Sequence, residues 1–408
     1  MSSSTGGVVV PVDSYDTIFT VNLVVTFARH LAVPRTAFFL FGPRGTGKST
    51  WIRTTLPEAF VVNLLEPDTM LLYERDPAHF RREVLAQPRQ RWIVVDDVQR
   101  APGLLDQVHW LTEEKGYKRF ALTGSSARRV KRGAANLLAG RAVVRNLFPL
   151  TTGETGASAP IRQLLRFGSL PMSVTARDDA QREDFLRAYV TTYLTEEIKA
   201  EALVRNLGSF SRFLAVAALS AGQTTNVSSL ARDAGVSREA ARGYFDVLVD
   251  TLIGTWLPAY RPRAKVKEVG LPRFYWFDAG VLNAAAGGFD QPLPADWQGA
   301  LLAHLVFHEI RSHLHYAGVR GSLAYWRTPS GSEVDFVWWH GSTRVAIEVK
   351  HGRQYRPEYR KGLAALLGSM KAASYIVYLG DRALDVDGTR VLPIDTFLRR
   401  LHAGEILG

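Results

Sequence analysis

The stretch that most constrains this chain is Gly42-Pro43-Arg44-Gly45-Thr46-Gly47-Lys48-Ser49-Thr50. It has the form GxxxxGK[ST]. It follows an apolar run, Ala37 to Phe41, and precedes a segment, Lys48 to Thr55, that predicts a helix. Strand, glycine-rich loop and helix in that order are what a phosphate-binding loop needs. Glycines let backbone N–H groups close around phosphate oxygens, and the helix N-terminus adds partial positive charge. On this reading Gly42 to Thr50 cradle ATP. Lys48 reaches the β- and γ-phosphates, and Ser49 offers its hydroxyl to Mg²⁺.

The surrounding pattern fits such a loop. Strand candidates are Ala37–Phe41, Phe60–Leu64, Trp92–Asp96, Arg119–Thr123 and Ala142–Leu147, with helical stretches between most of them. That alternation argues for an α/β unit with a parallel sheet. Arg91 to Asp97 is an apolar strand ending in two carboxylates. Asp96 would support Mg²⁺, and Asp97 stands where hydrolytic ATPases of this kind usually place a Glu to orient water. One methylene shorter, Asp97 reaches less far, so slow turnover is expected. Phe120 to Ser126 ends in small polar residues, either a sensor of the γ-phosphate or a turn with a serine cap. Between Lys118 and Arg145 lie eight basic residues and no acidic one: Lys118, Arg119, Arg128, Arg129, Lys131, Arg132, Arg141 and Arg145. They could hold DNA phosphates, supply an arginine finger to a neighbouring subunit, or form a solvated face.

A chain of 408 residues with 46% hydrophobic residues can bury two or three cores. Its formal net charge is +11, which favours a polyanionic partner, nucleic acid or an anionic membrane surface. It has no cysteine, which excludes disulfides and thiolate metal sites. The Ser/Gly-rich start lacks the basic region of a secretion signal, and the apolar stretch Phe213 to Ala221 is too short to span a bilayer. A soluble, cytoplasmic protein is expected, without a membrane partner.

Residues 1–20 read as a loose tail, and Val21 to Leu31 predicts a short helix. Thr151 to Gly156 marks a boundary, which gives a unit over 21–150, a helical unit over 151–290 and a last unit over 291–408. Within the middle unit, Val227–Ala234 predicts one helix, Gly235 a turn, and Ser237 the cap of a second helix. Tyr244, Phe245, Leu248, Val249 and Leu252 recur at helical spacing, leaving Arg238, Glu239 and Arg242 outward. This is a helix-turn-helix outline. A basic wing could follow, with Arg261, Arg263, Lys265, Lys267 and Arg273. A recognition helix with a basic wing binds DNA in other proteins, but the same outline also serves as a packing module. The aromatic run Phe274 to Phe277 reads as a buried strand, with base stacking as the alternative.

The last unit reads helix (Gly299 to His313), three strands, helix and strand. Asp335 lies on the second strand and Glu348-Val349-Lys350 on the third. Alternate residues share a strand face, so Glu348 and Lys350 point the same way, and hairpin pairing could bring Asp335 beside Glu348. With Glu309 from the helix, the two carboxylates could hold Mg²⁺, and Lys350 could activate water for phosphodiester attack. The pattern is that of PD-(D/E)XK nucleases. Such a fold can also grip DNA without cutting it.

Together, GPRGTGKST, VDDVQR, LTGSSAR, NLLAGR, NVSSLARDAGVS, FYWFDAGV, GSEVDFVWW and VAIEVK resemble a prokaryotic AAA-type P-loop ATPase family with a winged-helix region and a C-terminal PD-(D/E)XK nuclease-like domain. The resemblance implies an α/β fold: a parallel-sheet P-loop core, a helical and winged-helix middle, and a C-terminal α/β domain like a restriction endonuclease. It implies ATP-dependent action on duplex or branched DNA, branch migration among the options, by a homo-oligomer for which a hexameric ring is one arrangement. Its site residues fall on Lys48, Ser49 and Asp96, and on Glu309, Asp335, Glu348 and Lys350. Members more often have Asp-Glu where this chain has Asp96-Asp97. Arg141, in Leu-Ala-Gly-Arg, is the arginine-finger candidate. A DNA-stimulated motor is the leading expectation. An ATP-gated nuclease and a nucleotide-switched DNA-binding protein with little hydrolysis are the alternatives.

Overall fold

The computed structural model describes residues 26–126, 142–194, 206–261, 270–290 and 296–408. The first unit is a five-stranded parallel sheet of β1 (Phe38–Phe41), β2 (Phe60–Asn63), β3 (Ile93–Asp96), β4 (Phe120–Gly124) and β5 (Val143–Asn146), in the order β2-β3-β4-β1-β5. Its central strands are buried on both faces, which is why they read as near-continuous apolar runs. Alternate side chains feed two cores. Phe39, Phe41, Val95 and Leu122 pack on one face, and Phe38, Leu40, Val94 and Ala121 pack with Trp51 and Ile52 on the other. Trp51 and Ile52 belong to α1 (Lys48–Thr55), which leaves the glycine loop. The strand order inserts β4 between the loop-bearing β1 and the acidic β3. The tips of all three strands therefore meet at the carboxyl edge, where α/β sheets bind ligands.

Residues 26–31 carry no helix; the rest of the expected Val21–Leu31 helix and the expected tail over 1–20 lie outside the described residues. Arg29 is drawn instead to the glycine loop and to buried Glu154, and the His30 backbone N–H donates to Glu154 Oε1 at 2.7 Å. The connection out of β5 runs into a short turn of helix, α2 (Thr152–Thr155). Thr151 and Glu154 cap it reciprocally, side chain to backbone in both directions.

The middle unit is mainly helical. α3 (Leu207–Leu219) packs with α4 (Val227–Asp233), capped by Asn226, and α5 (Arg238–Asp250), capped by Ser237. Gly235, at φ 64°, makes the turn between α4 and α5. An antiparallel ribbon of β6 (Gly254–Leu257) and β7 (Arg273–Trp276) follows. Phe274, Tyr275 and Trp276 are each 1% exposed, so they are core residues and cannot stack on bases.

The last unit sets α6 (Trp297–Tyr316) against a six-stranded sheet, ordered β12-β13-β11-β10-β9-β8. β8 (Ser322–Arg327), β9 (Glu333–His340) and β10 (Thr343–Lys350) are antiparallel neighbours. After α7 (Lys361–Leu367), β11 (Ala373–Tyr378) joins β10 in parallel. The expected run of helix, three strands, helix and strand is present. Beyond it lie a hairpin, β12 (Leu384–Val386) with β13 (Thr389–Pro393), and α8 (Ile394–His402). One continuous apolar cluster runs through the middle and last units, from Leu150 to Leu407. Among the described residues, no helix is long and apolar enough to cross a membrane.

Candidate functional site

Local chemistry explains the glycine loop. Gly45 and Gly47 sit at φ 82° and 90°, a left-handed backbone that a side chain would strain. A Cβ on Gly42 would come within 2.4 Å of the Leu147 carbonyl oxygen, so β1 and the exit of β5 can pass this closely only with glycine there. Lys48 is buried, and its Nζ donates to the loop's own carbonyls, at 2.8 Å to Gly42 and 3.3 Å to Pro43. Arg44 is exposed and lies over the Tyr193 ring at 4.9 Å. The Thr46 hydroxyl donates to the Pro43 carbonyl, and Thr50 is half-buried on α1.

The strand order brings the expected acidic residues to this loop. The Ser49 hydroxyl donates to Asp96 Oδ2 at 2.8 Å, and the Thr123 hydroxyl donates to Asp96 Oδ1. Thr123 also accepts from the Asp97 backbone N–H at 3.1 Å. Asp97 sits at φ 61°, which Asp tolerates better than most side chains because its short carboxylate bonds locally. Its carboxylate accepts from Gln99 Nε2 at 3.1 Å, and the same amide reaches Ser125 Oγ at 3.2 Å. The left-handed backbone gives a physical reason for Asp in place of Glu. Ser49, Asp96, Asp97, Thr123 and Ser125 thus meet at one strand edge. Arg141 and most of the basic cluster (Arg128, Arg129, Lys131, Arg132) lie outside the described residues.

Sequence reading missed the residues that brace the loop. Arg29 Nη1 donates to the Thr46 carbonyl at 2.8 Å, and Nη2 donates to Phe148 O at 2.6 Å. Its charge meets Glu154 at 3.1 Å, with side chains 5% and 0% exposed. The Tyr189 hydroxyl donates to the Arg44 carbonyl at 2.8 Å. Tyr189 opens a π-helical turn, Tyr189–Tyr193, a local distortion often found at functional sites. Thr151-x-x-Glu154 is a legible capping signature that could have drawn attention to Glu154. Nothing local marks Arg29.

The exit of β5 is read by α6 along alternating backbone groups. Asn146 N–H donates to His315 Nε2 (2.7 Å), Phe148 N–H to the Tyr316 hydroxyl (3.0 Å), and Thr152 N–H to Glu309 Oε1 (2.7 Å). His308 Nε2–H donates to Leu150 O at 3.1 Å. Glu309 therefore does not belong to a metal centre with Asp335 and Glu348. It is fully buried, and its other oxygen takes a hydrogen bond from His402 Nε2 at 2.7 Å. The helix rotation that turns Glu309 toward α2 and α8 was not fixed by the Glu…Asp…Glu-x-Lys spacing.

The remaining carboxylates of the last unit do meet. Asp335 N–H donates to Glu348 Oε2 at 3.3 Å, and Val349 N–H donates to Asp335 Oδ2 at 2.9 Å. Lys350 Nζ lies 2.6 Å from Glu348 Oε1. Burial and the Asp335 charge push the Glu348 carboxyl up to about 8, against the pull of Lys350. A further cation enters from the middle unit. Arg273, 5% exposed, places Nη1 3.1 Å from Asp335 Oδ1 and Nη2 2.7 Å from Glu333 Oε2. Arg273 had been expected on a basic wing. It is instead the first residue of a buried strand, and Arg263, Lys265 and Lys267 lie outside the described residues. Asp335 is thus paired with Arg273, Glu348 lies against Lys350 as the Glu-x-Lys pattern expects, and among the described residues no group of three metal-ligating side chains forms. With Glu309 turned away and Arg273 on Asp335, the described residues lack the three-carboxylate metal centre that the sequence suggested, while Asp335, Glu348 and Lys350 do meet.

On the second helix of the helix-turn-helix outline, Arg238, Glu239 and Arg242 are exposed, as expected, and so is Arg232 on α4.

Comparison with known proteins agrees with the first unit. Residues 34–156 match the family described as AAA domain. Residues 159–292 and 298–397 match two domains of unknown function, DUF8612 and DUF4143. The chain is 27% identical over 384 residues to the uncharacterized protein Rv2008c of Mycobacterium tuberculosis, covering 90% of this chain and 82% of the relative. The uncharacterized protein Mb2031c of Mycobacterium bovis matches to the same extent. Among solved structures, a Walker-type ATPase of Pyrococcus abyssi aligns over 61% of this chain and 90% of its own, at 14% identity and a TM-score of 0.41. Protein VC1899 from Vibrio cholerae aligns over 90% of this chain and 96% of its own, at 13% identity and a TM-score of 0.19. The AAA-domain match and the loop geometry agree on a P-loop ATPase core.

Proposed function

We propose that this chain hydrolyses ATP at the edge of the parallel sheet and couples that turnover to DNA, with the last unit gripping rather than cutting it. The observation that carries the ATPase reading is Asp96, held between the Ser49 and Thr123 hydroxyls directly beside the glycine loop. Ser49 and Asp96 would hold Mg²⁺, which when bound neutralises phosphate charge. Backbone N–H groups from Gly45 to Lys48 would cradle the phosphates. Lys48 would exchange its bonds to the Gly42 and Pro43 carbonyls for phosphate oxygens. Asp97, fixed by Gln99, would orient the attacking water, and Thr123 and Ser125 lie where a γ-phosphate sensor works.

The DNA part rests on charge. Arg232, Arg238 and Arg242 are exposed on the helix-turn-helix outline of a chain with net charge +11. Arginines at the start of a second helix suit phosphate and major-groove contact. Arg273 on Asp335 and the turning of Glu309 away from this cluster argue against strand cleavage. A motor that moves branched DNA, built as a homo-oligomer, is the finer form of this proposal.

One assay separates these parts. ATP turnover is measured with Mg²⁺, alone and with duplex or an end-labelled four-way junction, and the strands are run on a denaturing gel. DNA is expected to raise turnover, the strands to stay full length, and Lys48→Ala to abolish hydrolysis. Turnover indifferent to DNA would sink the DNA part. Hydrolysis surviving in Lys48→Ala would sink the ATPase part, and shortened strands would restore the nuclease reading.

A further inference from the structure

A cavity of about 340 Å³ lies where the exit of β5, the β6–β7 ribbon and α6 meet. That volume is in the range of small-molecule sites. Its lining mixes apolar Phe148, Trp256 and Leu314 with polar Asn146, Thr255, Arg311 and His315. The Arg311 guanidinium lies 4.7 Å over the Phe148 ring, and among the described residues no carboxylate pairs with it. Burial lowers its pKa to about 10, so it is still a cation at neutral pH. Arg311 is half-buried in this wall with no anion beside it among the described residues, and an anionic occupant would pair its charge.

His315 also lines the cavity. Its Nε2 accepts from Asn146 N–H at 2.7 Å, so a neutral ring carries its proton on Nδ1. The ring is neutral at pH 7, because burial, then the charges of Arg145 and Arg311, lower its pKa to about 4. The cavity therefore offers donors and positive potential, and no carboxylate lines it. Phe148 and Trp256 in its lining favour a flat ring over a bare phosphate.

We propose that this cavity binds a flat organic anion, an aromatic ring system bearing one carboxylate, with the carboxylate on Arg311 and the ring against Trp256 and Leu314. A guanidinium matches a carboxylate in a two-point hydrogen bond, and one cation balances one negative charge. The site is separate from the glycine loop and stands independently of the nucleotide reading.

The test is isothermal titration calorimetry of the full chain with 1-naphthoate and with its neutral counterpart, 1-naphthamide. Naphthoate is expected to bind one per chain, roughly tenfold or more tighter than the amide, the scale of one charge-assisted hydrogen bond. Arg311→Met should erase that preference. Leu314→Trp keeps Arg311 but fills the cavity, and should remove binding of both compounds, so the site is tested even where Arg311→Met fails to fold. Equal binding of acid and amide, no saturable binding to the wild type, or undiminished naphthoate binding by Leu314→Trp would each overturn the proposal.

Discussion

Two acidic sites in this chain sit at strand ends, and their partners differ in kind. Asp96 is held by hydroxyls, Ser49 on one oxygen and Thr123 on the other. Asp335 and Glu348 are held by cations, Arg273 and Lys350. A hydroxyl fixes a carboxylate's direction and leaves its charge in place to attract a metal. The guanidinium on Asp335 offsets its charge and must be displaced first, and burial already favours the neutral form of Glu348. The same residue type thus has opposite prospects at the two sites. Neighbours distant in sequence decide between them, since Arg273 stands 62 positions before Asp335.

The largest expected effect breaks the comparison if it fails. Asp96→Asn should lower ATP turnover by about a hundredfold or more, as expected when several kcal/mol of charge stabilisation is lost. Asp335→Asn should leave turnover within about twofold, because removing a carboxylate already paired with Arg273 takes no charge from the nucleotide site. Steady-state phosphate release measures both. A comparable loss in the two variants would mean that the second carboxylate serves the chemistry after all.

Stability sharpens the comparison next. Arg273→Met leaves Asp335 and Glu333 without their cation. Breaking a buried pair costs about 3–5 kcal/mol, and the low end is expected here because Glu333 is 43% exposed. Urea unfolding should show that loss, and Arg273→Met with Asp335→Asn should recover part of it. An Arg273→Met variant as stable as the wild type would show that the cation is dispensable and the carboxylates open to a metal.

These contrasts also show what the sequence could and could not disclose. The glycine loop and its strand and helix were legible because their chemistry is local: eight consecutive positions specify them, and α1 runs over Lys48–Thr55 as the pattern predicts. The parallel strands were legible as apolar runs. The order of elements around Asp335 and Glu348 was legible too, because period-two patterning and turns mark hairpins. Glu309 was not, since spacing alone does not fix which way a buried helix is rotated, and its partners Thr152 and His402 come from distant segments. Arg29 was invisible for the same reason, lying 119 positions from the Phe148 carbonyl it holds. The Asp97 substitution looked like a defect in sequence and reads in structure as a fit to a left-handed backbone.

The hydroxyl-held site also depends on a brace that the cation-held site lacks, and Arg29→Lys tests it. Lysine keeps the charge opposite Glu154 but cannot bridge the Thr46 and Phe148 carbonyls as a planar fork does. The KM for ATP should rise by roughly fivefold to tenfold with kcat nearly unchanged, the signature of a loop less well held for binding. Equal losses in kcat and kcat/KM would place Arg29 in the chemistry instead.

The smallest effect concerns Glu309, a carboxylate of the last unit placed outside both sites. Burial pulls the pKa of His402 down, but its hydrogen bond to Glu309 and the charges of Glu309 and Glu154 outweigh that and hold it above the usual 6.5. A histidine whose folded pKa is raised stabilises fully below its unfolded pKa. It loses that contribution as pH climbs through the folded value. Wild-type stability should therefore decline as pH rises above about 6.5, by less than about 1.4 kcal/mol per pH unit, the limit for one proton. His402→Gln keeps a donor for Glu309 but cannot titrate, so its urea midpoint should vary less across that window. A slope unchanged by His402→Gln would mean that the proton is held elsewhere. Glu309 would then be a carboxylate held by hydrogen-bond donors whose protonation does not follow pH in this window, closer in kind to Asp96 than to Asp335.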